Sequence, residues 1–133
     1  MMSLGAIAFA CATHQGDFWF CANAGCSVGQ RVSISSLANN TTYQVNGSSL
    51  LASVTTDVRY AATTDTGATC HTNAVWGTGV TDATGNMTTN APVYTGTSPP
   101  SGFAAGPGTG SWEVCVTNNT GNNYGPHKTM TIN

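Results

Sequence analysis

Residues 111–133, SWEVCVTNNTGNNYGPHKTMTIN, contain two runs in which apolar and polar residues alternate. Trp112, Val114 and Val116 share one side of the first run, and Met130 and Ile132 share one side of the second. Because successive side chains of a strand point to opposite faces, each run is expected to form a strand with one apolar face. The Asn, Thr and Gly residues between the runs favour a turn. The stretch therefore predicts an antiparallel hairpin that covers a core.

Short runs of the same kind occur along the rest of the chain, and no segment has a convincing helical pattern. Further strands are predicted at residues 7–13, 17–21, 31–37, 41–45, 50–60, 68–76 and 87–94, with the closing pair at 112–117 and 128–132. Turn signals separate them, including Asn46-Gly47, Gly77-Thr78-Gly79 and Thr84-Gly85-Asn86. We predict an all-β fold: a single antiparallel β-sandwich at residues 17–133, preceded by an extended N-terminal arm at residues 1–16.

The closing hairpin, together with VSISSLANNTTYQV at residues 32–45, resembles the immunoglobulin-like and fibronectin-III-like sandwiches found in extracellular filament subunits. In antibody domains the last strand but one points its cysteine into the core, whereas here Trp112, Val114 and Val116 take the inward positions. Cys115 is therefore expected on the outer face beside Glu113. There it would bridge to a loop, to the N-terminal arm or to another copy of the chain.

Charged residues are unusually rare in this chain. It has three Lys or Arg and five Asp or Glu, a charged fraction of 6%, whereas about 25% is typical. Three scattered cations are too few to neutralise a run of phosphates, so we expect no nucleic-acid partner. A net charge of −2 gives little repulsion between copies, and near-zero net charge promotes association. The expected partners are copies of the same chain.

The sequence predicts no active site. The three histidines are spread along the chain, and the acidic residues form no pair at a recognisable spacing. Cys70 and His71 are adjacent, so on a strand they would face opposite sides and could not work as nucleophile and base. The cysteine spacings also lack the second close pair of a zinc site. We expect no catalytic residues, no metal and no cofactor.

Cysteines are numerous, and their number is odd. Two disulfides with one thiol left over, or an intermolecular bridge, would suit an oxidising compartment, so we expect an extracellular or cell-surface protein. The disulfide candidates are Cys11, Cys21, Cys26, Cys70 and Cys115.

The N-terminal arm alternates in a way that suits a strand lying in a groove of a neighbouring subunit, where it would complete that subunit's sheet. The arm lacks the basic start of a secretion signal and is too short to span a bilayer, so no membrane span is expected. In DFWF, alternation sends Trp19 away from its two phenylalanine neighbours, so one side must be exposed or covered by a partner. The candidates for subunit contact are Leu4, Ile7, Phe9, Phe18, Trp19 and Phe20.

Two polar features belong to the predicted surface. Alternation within the 50–60 run places Asp57 and Arg59 together on the wet face of a strand, as a solvated pair. Asn-x-Ser/Thr sequons lie in turn-like surroundings that could carry glycans. The glycosylation candidates are Asn39, Asn40, Asn46, Asn86 and Asn118.

Taken together, these features favour a structural subunit of a self-assembling extracellular filament, pilus-like or biofilm-forming, joined by β-strand contacts between subunits. A virion surface protein, such as a capsid decoration subunit, is the first alternative. A secreted carbohydrate-binding module is the second, since the DFWF segment, Trp76 and Trp112 could provide a stacking platform for sugars, and glycans are then a further partner.

Overall fold

A computed structural model describes residues 15–22, 30–63, 70, 74–93, 106–118 and 123–133. Its seven strands are β1 (Asp17–Cys21), β2 (Thr41–Ser48), β3 (Thr55–Ala62), β4 (Ala74–Val80), β5 (Met87–Val93), β6 (Gly110–Asn118) and β7 (Asn123–Ile132). They form a three-stranded sheet in the order β1-β2-β5 and a four-stranded sheet in the order β4-β3-β6-β7. All the pairings are antiparallel. The all-β sandwich expected from the alternating runs is confirmed.

The core lies between the two sheets and is built by the predicted alternation. In the closing hairpin Val114, Val116, Met130 and Ile132 are buried, and Trp112 packs against them from the rim. The three-stranded sheet contributes its own inward side chains from every second position of each strand. These are Phe18, Phe20, Tyr43, Val45, Met87, Ala91 and Val93.

One side of the sandwich is closed by the segment 31–37, which the sequence predicts as a strand. That prediction is wrong, because the segment changes partner halfway. It begins at β1, where the Val32 N–H donates to Phe20 O at 2.9 Å and Arg31 bridges Cys21. It ends at β7, where the Leu37 N–H donates to Thr131 O at 2.9 Å. We call residues 31–37 the connector, since they join the two sheets.

The opposite side is closed by β4 and β5, which approach each other across two glycines. A Cβ on Gly77 would lie 2.4 Å from the backbone oxygen of Asn90, and one on Gly79 would lie 3.0 Å from that of Thr88. The turn predicted at Gly77-Thr78-Gly79 is therefore wrong: these glycines lie inside a strand because a neighbouring backbone leaves no room for side chains.

The other two turn signals have different outcomes. Asn46-Gly47 lies within β2, where a Cβ on Gly47 would meet the Leu50 side chain at 2.5 Å, so the predicted turn is again wrong. Thr84-Gly85-Asn86 does form the turn between β4 and β5. Gly85 has a φ of +84° there, in the left-handed region that glycine adopts without strain.

The N-terminal arm falls almost wholly outside the described residues, and so do its contact candidates Leu4, Ile7 and Phe9. From its end, the Gln15 side-chain amide donates to Leu50 O at 3.0 Å. A membrane-spanning helix is absent from the ranges that the structure describes.

Candidate functional site

The outer face of the three-stranded sheet carries a row of uncharged side chains across all three strands. Trp19 on β1 is in register with Asn46 on β2, and Asn46 is in register with Thr88 on β5. The Thr88 hydroxyl donates to Asn46 Oδ1 at 3.4 Å. Neighbouring strands lie about 4.8 Å apart, so the row is about 10 Å long.

This row forms the floor of a shallow depression, which we call the Trp19 depression. Its volume is about 340 Å³. The walls come from the end of β4 and from the turn that leads into β5. The lining residues are Trp19, Asn46, Gly47, Val80, Asp82, Asn86, Met87 and Thr88.

Trp19 is held in place from the side of β1 that faces away from β2. The guanidinium carbon of Arg31, at the start of the connector, lies 4.2 Å from the centre of the indole ring. A cation against an aromatic ring is stabilising, more so when both groups are partly shielded from water. The half-buried indole is therefore fixed between the connector and the depression.

The turn wall of the depression is organised by Asp82. Its Oδ1 accepts hydrogen bonds from the Thr84 N–H at 2.8 Å, the Thr84 hydroxyl at 2.8 Å and the Asn86 N–H at 3.0 Å. The bond from the Asn86 backbone, followed by those from Thr84, lowers the pKa of Asp82 to about 2. The carboxylate is therefore ionised at every ordinary pH, and it is the one formal charge among the lining residues that the structure describes.

The edge of β1 carries a second cluster, formed by Asp17, Arg31 and Lys128. Lys128 extends from β7 across the gap between the sheets, and its Nζ donates to Asp17 Oδ1 at 2.7 Å and to the Phe18 carbonyl oxygen. Arg31 approaches the other oxygen of Asp17 at 3.7 Å. Burial raises the pKa of Asp17, but the Lys128 hydrogen bond and charge outweigh it, and the net shift is downward.

The outer face of the four-stranded sheet buries charge, contrary to expectation. Arg59 Nη2 lies 3.0 Å from Asp57 Oδ2, so the predicted pair exists, but the two side chains are only 15% and 8% exposed. Thr78 donates to Asp57 Oδ1 at 2.9 Å, and Arg59 Nε donates to Thr117 Oγ1 at 3.2 Å. The ion pair forms as predicted, but the prediction that water surrounds it is wrong. The hydroxyls of Thr78 and Thr117 contact the pair in place of water.

Cys115 lies on this same face, as its alternation with Val114 and Val116 requires. It is not exposed, however, because Cys70 covers it and forms a disulfide with it across a Cα–Cα distance of 6.3 Å. Both cysteines are fully buried against Ala61. Of the partners open to Cys115 on sequence grounds, the bridge goes to the connection between β3 and β4. Cys21 is disulfide-bonded as well, while Cys11 and Cys26 lie outside the described residues.

Glu113 and His127 complete this face. His127 Nδ1 lies 3.9 Å from Glu113 Oε1, and the Thr129 hydroxyl donates to Glu113 Oε2 at 3.4 Å. Burial raises the pKa of the Glu113 carboxyl, and the Thr129 bond only partly offsets it. Among the described residues no group of three His, Cys, Asp or Glu side chains converges as metal ligands.

The three contact candidates in DFWF lie on opposite faces of β1, as alternation requires. Phe18 and Phe20 are 0% and 1% exposed and lie in the core of their own chain, so they have no surface to offer a neighbour. Trp19 points outward into the depression. Its contact with a second subunit stays a prediction.

The sequons lie at several depths. Asn40 and Asn86 are exposed, whereas Asn39, Asn46 and Asn118 are half-buried. Asn46 and Asn86 both line the Trp19 depression. Glycosylation at each of these residues stays a prediction.

Sequence reasoning found Trp19 but missed its setting. The clues were present in TDATGN at residues 81–86, where an Asp two residues before a Thr and four before an Asn is typical of a side chain that caps its own turn. Only the strand order shows that this turn stands beside Trp19.

No family model, no curated protein and no solved structure matches this chain.

Proposed function

We propose that this chain is a structural subunit of a self-assembling extracellular filament. The observation that carries the proposal is the pairing of its few charges. In the part of the chain that the structure describes, five of the seven formally charged residues form ion pairs with one another within the subunit: Asp17 with Arg31 and Lys128, and Asp57 with Arg59. Apart from these pairs, Asp82 and the largely buried Glu113, the described surface left for a neighbour is made of hydroxyls, amides and apolar groups. Copies can therefore approach without electrostatic repulsion.

The Cys70–Cys115 disulfide supports the extracellular part of the proposal. Both sulfur atoms are buried, and the bridge holds the connection between β3 and β4 onto the four-stranded sheet. Stable disulfides of this kind occur mainly in proteins that leave the cytosol.

The covered edges of the sheets limit where one subunit can add a strand to another. Lys128 and Val32 occupy the carbonyls at the edge of β1, the connector pairs with the last residues of β7, and β4 packs against β5. Proteins protect sheet edges in these ways against unwanted pairing. In the described chain, the first half of β7 is the stretch that these contacts leave uncovered, and Pro126 there lacks an N–H donor and so weakens strand addition as well.

The outward side of β4 offers a second kind of contact between strands. Val75 and Val80 on this strand are 40% and 67% exposed, although most large apolar side chains in the described chain are buried. We place the contact between subunits on the stretch around Val75, because burying its side chain against an uncharged neighbour removes apolar surface from water.

Electron microscopy of the oxidised full-length chain tests the proposal. We expect fibres to form as the concentration is raised. Val75→Lys should reduce their number strongly, because it places a charge in the contact. Ser35→Lys is the matched control: Ser35 is exposed on the connector, away from β4, so its fibres should resemble those of the unmodified chain. Dispersed monomers at every concentration would refute a filament role, and unchanged fibres in Val75→Lys would refute this contact.

A further inference from the structure

The Trp19 depression has the features of a small binding site. Its floor crosses three hydrogen-bonded strands, and its Trp side chain is fixed by Arg31 at 4.2 Å. Its turn wall is held by three hydrogen bonds to one oxygen of Asp82. A site whose walls are already fixed loses little conformational entropy when a ligand binds.

The lining defines the chemistry of a fitting ligand. Trp19 provides an apolar ring, with Met87 and Val80 beside it. Asn46, Asn86 and Thr88 provide amides and a hydroxyl, which both donate and accept hydrogen bonds. Among the described residues that line the depression, the one formal charge is the carboxylate of Asp82 and no side chain is a cation, so an anionic ligand is disfavoured.

We propose that the Trp19 depression binds a neutral carbohydrate. A pyranose has a face of C–H groups that can lie on the indole, and a rim of hydroxyls that can reach amides, a threonine and a carboxylate. Both halves of that chemistry are present within a single depression of about 340 Å³. The proposal is independent of the filament role, which rests on the paired charges and on the surface around Val75.

Two other occupants fit less well. A quaternary ammonium group would be attracted by Trp19 and Asp82, but such groups are usually held by several aromatic rings, and Trp19 is the one aromatic side chain that the described part of the lining provides. A second copy of this chain would need a protruding apolar side chain to fill the depression. It would also remove the amides and the Asp82 carboxylate from water, which costs free energy.

The sugar could come from two sources. It could be a free or surface polysaccharide, or a glycan attached to Asn86, a sequon residue in the lining. The test therefore uses full-length chain from a host that does not glycosylate asparagine, and the same chain from a host that does.

The experiment is a titration of the isotope-labelled, unglycosylated chain with neutral oligosaccharides: cellohexaose, chitotriose and mannotriose. The chain has three Trp residues, so Trp19 gives one of three indole N–H signals, assigned by its loss in Trp19→Ala. We expect a saturable shift of that signal with at least one sugar. Trp19→Ala, in which binding is followed through the backbone amide signals of Asn46 and Thr88, should weaken binding by about tenfold or more, as the loss of an aromatic platform implies.

Trp19 is half-buried, so its replacement removes packing contacts as well as the aromatic ring. Asn86→Ala therefore provides a second variant, at an exposed position. It should weaken binding by about threefold to tenfold, the usual effect of one lost hydrogen bond. Val75→Ala, on the other sheet, should bind as the unmodified chain does. If Asn86 carries the sugar instead, the glycosylated chain should show a shifted Trp19 signal without added ligand.

Three results would overturn the proposal. One is a Trp19 signal that no sugar shifts at tens of millimolar and that is the same in glycosylated and unglycosylated chain. Another is sugar binding that is unchanged in both Trp19→Ala and Asn86→Ala. The third is saturation by tetramethylammonium at the same residues without any response to sugars.

Discussion

Lys128 joins the two sheets through a single side chain. It starts on edge strand β7, points toward the gap between the sheets, and ends on Asp17 and the Phe18 carbonyl of β1, with its Nζ 4.7 Å from the centre of the Phe18 ring. A charged residue that points inward at an edge makes pairing with another strand unfavourable. One of only three Lys and Arg residues in the chain is thus used to keep a sheet edge closed.

Gly77 is a position inside a strand where a single added carbon would meet the backbone of a neighbouring strand. Replacing glycine by alanine in a strand usually stabilises slightly, because the unfolded chain becomes less flexible. Here the new Cβ would lie 2.4 Å from the Asn90 backbone oxygen. We expect Gly77→Ala to lower the free energy of unfolding by about 1–3 kcal/mol in urea denaturation. Val75→Ala on the same strand should change it by less than about 0.5 kcal/mol. A more stable Gly77→Ala would show that β4 and β5 are not in close contact.

Glu113 gives the molecule a pH dependence of definite sign. Burial raises the pKa of Glu113 above 4.5, so the carboxylate is less favourable in the folded state than in the unfolded one. Its contribution to stability is present below the unfolded pKa and is lost as pH rises through the folded pKa. Glu113→Gln keeps an acceptor for the Thr129 hydroxyl and removes the loss of stability that accompanies ionisation of the carboxyl.

We therefore expect Glu113→Gln to be more stable than the unmodified chain at pH 7, and the difference to shrink toward zero below pH 4. Denaturation curves at a series of pH values measure this directly. His127, 3.9 Å away, is the one charged or titratable partner of Glu113 shown in the described chain, so the comparison is repeated in His127→Gln. A variant that is less stable at pH 7 in both backgrounds would contradict the assigned cost of burial.

At the scale of elements, the sequence predicts strands best where one face is apolar and the other polar. β1 begins and ends as predicted, and β5, β6 and β7 lie where the alternation indicates. The alternation of Val32 and Ile34, followed by Leu37, predicts a strand in the connector, and these side chains do contact the core: Leu37 lies in it, and Val32 and Ile34 pack against it. Local pattern cannot show that the backbone around them pairs first with β1 and then with β7.

The candidate site was predictable only in its parts. Alternation places Trp19 on the outer face, and the TDATGN segment predicts a capped turn. Their meeting depends on β2 lying between β1 and β5, which is a property of the strand order. The burial of Asp57 and Cys115 was missed for the same reason, since the residues that cover them are distant along the chain.

At the scale of elements, the clearest prediction concerns the stability that the Cys70–Cys115 disulfide contributes. Cys70 and Cys115 are separated by 45 residues, so their bridge restricts a long loop of the unfolded chain. We expect the double variant Cys70→Ser/Cys115→Ser to lose about 4 kcal/mol of unfolding free energy in guanidinium denaturation, part of it from placing hydroxyls in a buried apolar site. Cys70→Ala/Cys115→Ala separates the loop effect from that of the hydroxyls. Full stability in the alanine pair would contradict a structural role for the bridge.

At the scale of the whole molecule, the two closed sides of the sandwich and the ion pairs within the chain determine how copies can associate. The described surface presents few charges, and contacts within the chain cover much of its sheet edges, so association has to rely on apolar and neutral polar contacts. Contacts of that kind are insensitive to ionic strength, whereas ion pairs at a surface weaken with salt. Salt dependence therefore separates this mode of assembly from an electrostatic one.

Sedimentation velocity of the full-length oxidised chain, over a range of concentrations at about 0.05 M and 0.5 M NaCl, tests this most directly. Between these ionic strengths the screening length falls from about 14 Å to about 4 Å. We predict that the average sedimentation coefficient rises with protein concentration to the same extent at both salt concentrations. A single monomeric species throughout, or association that salt abolishes, would contradict it.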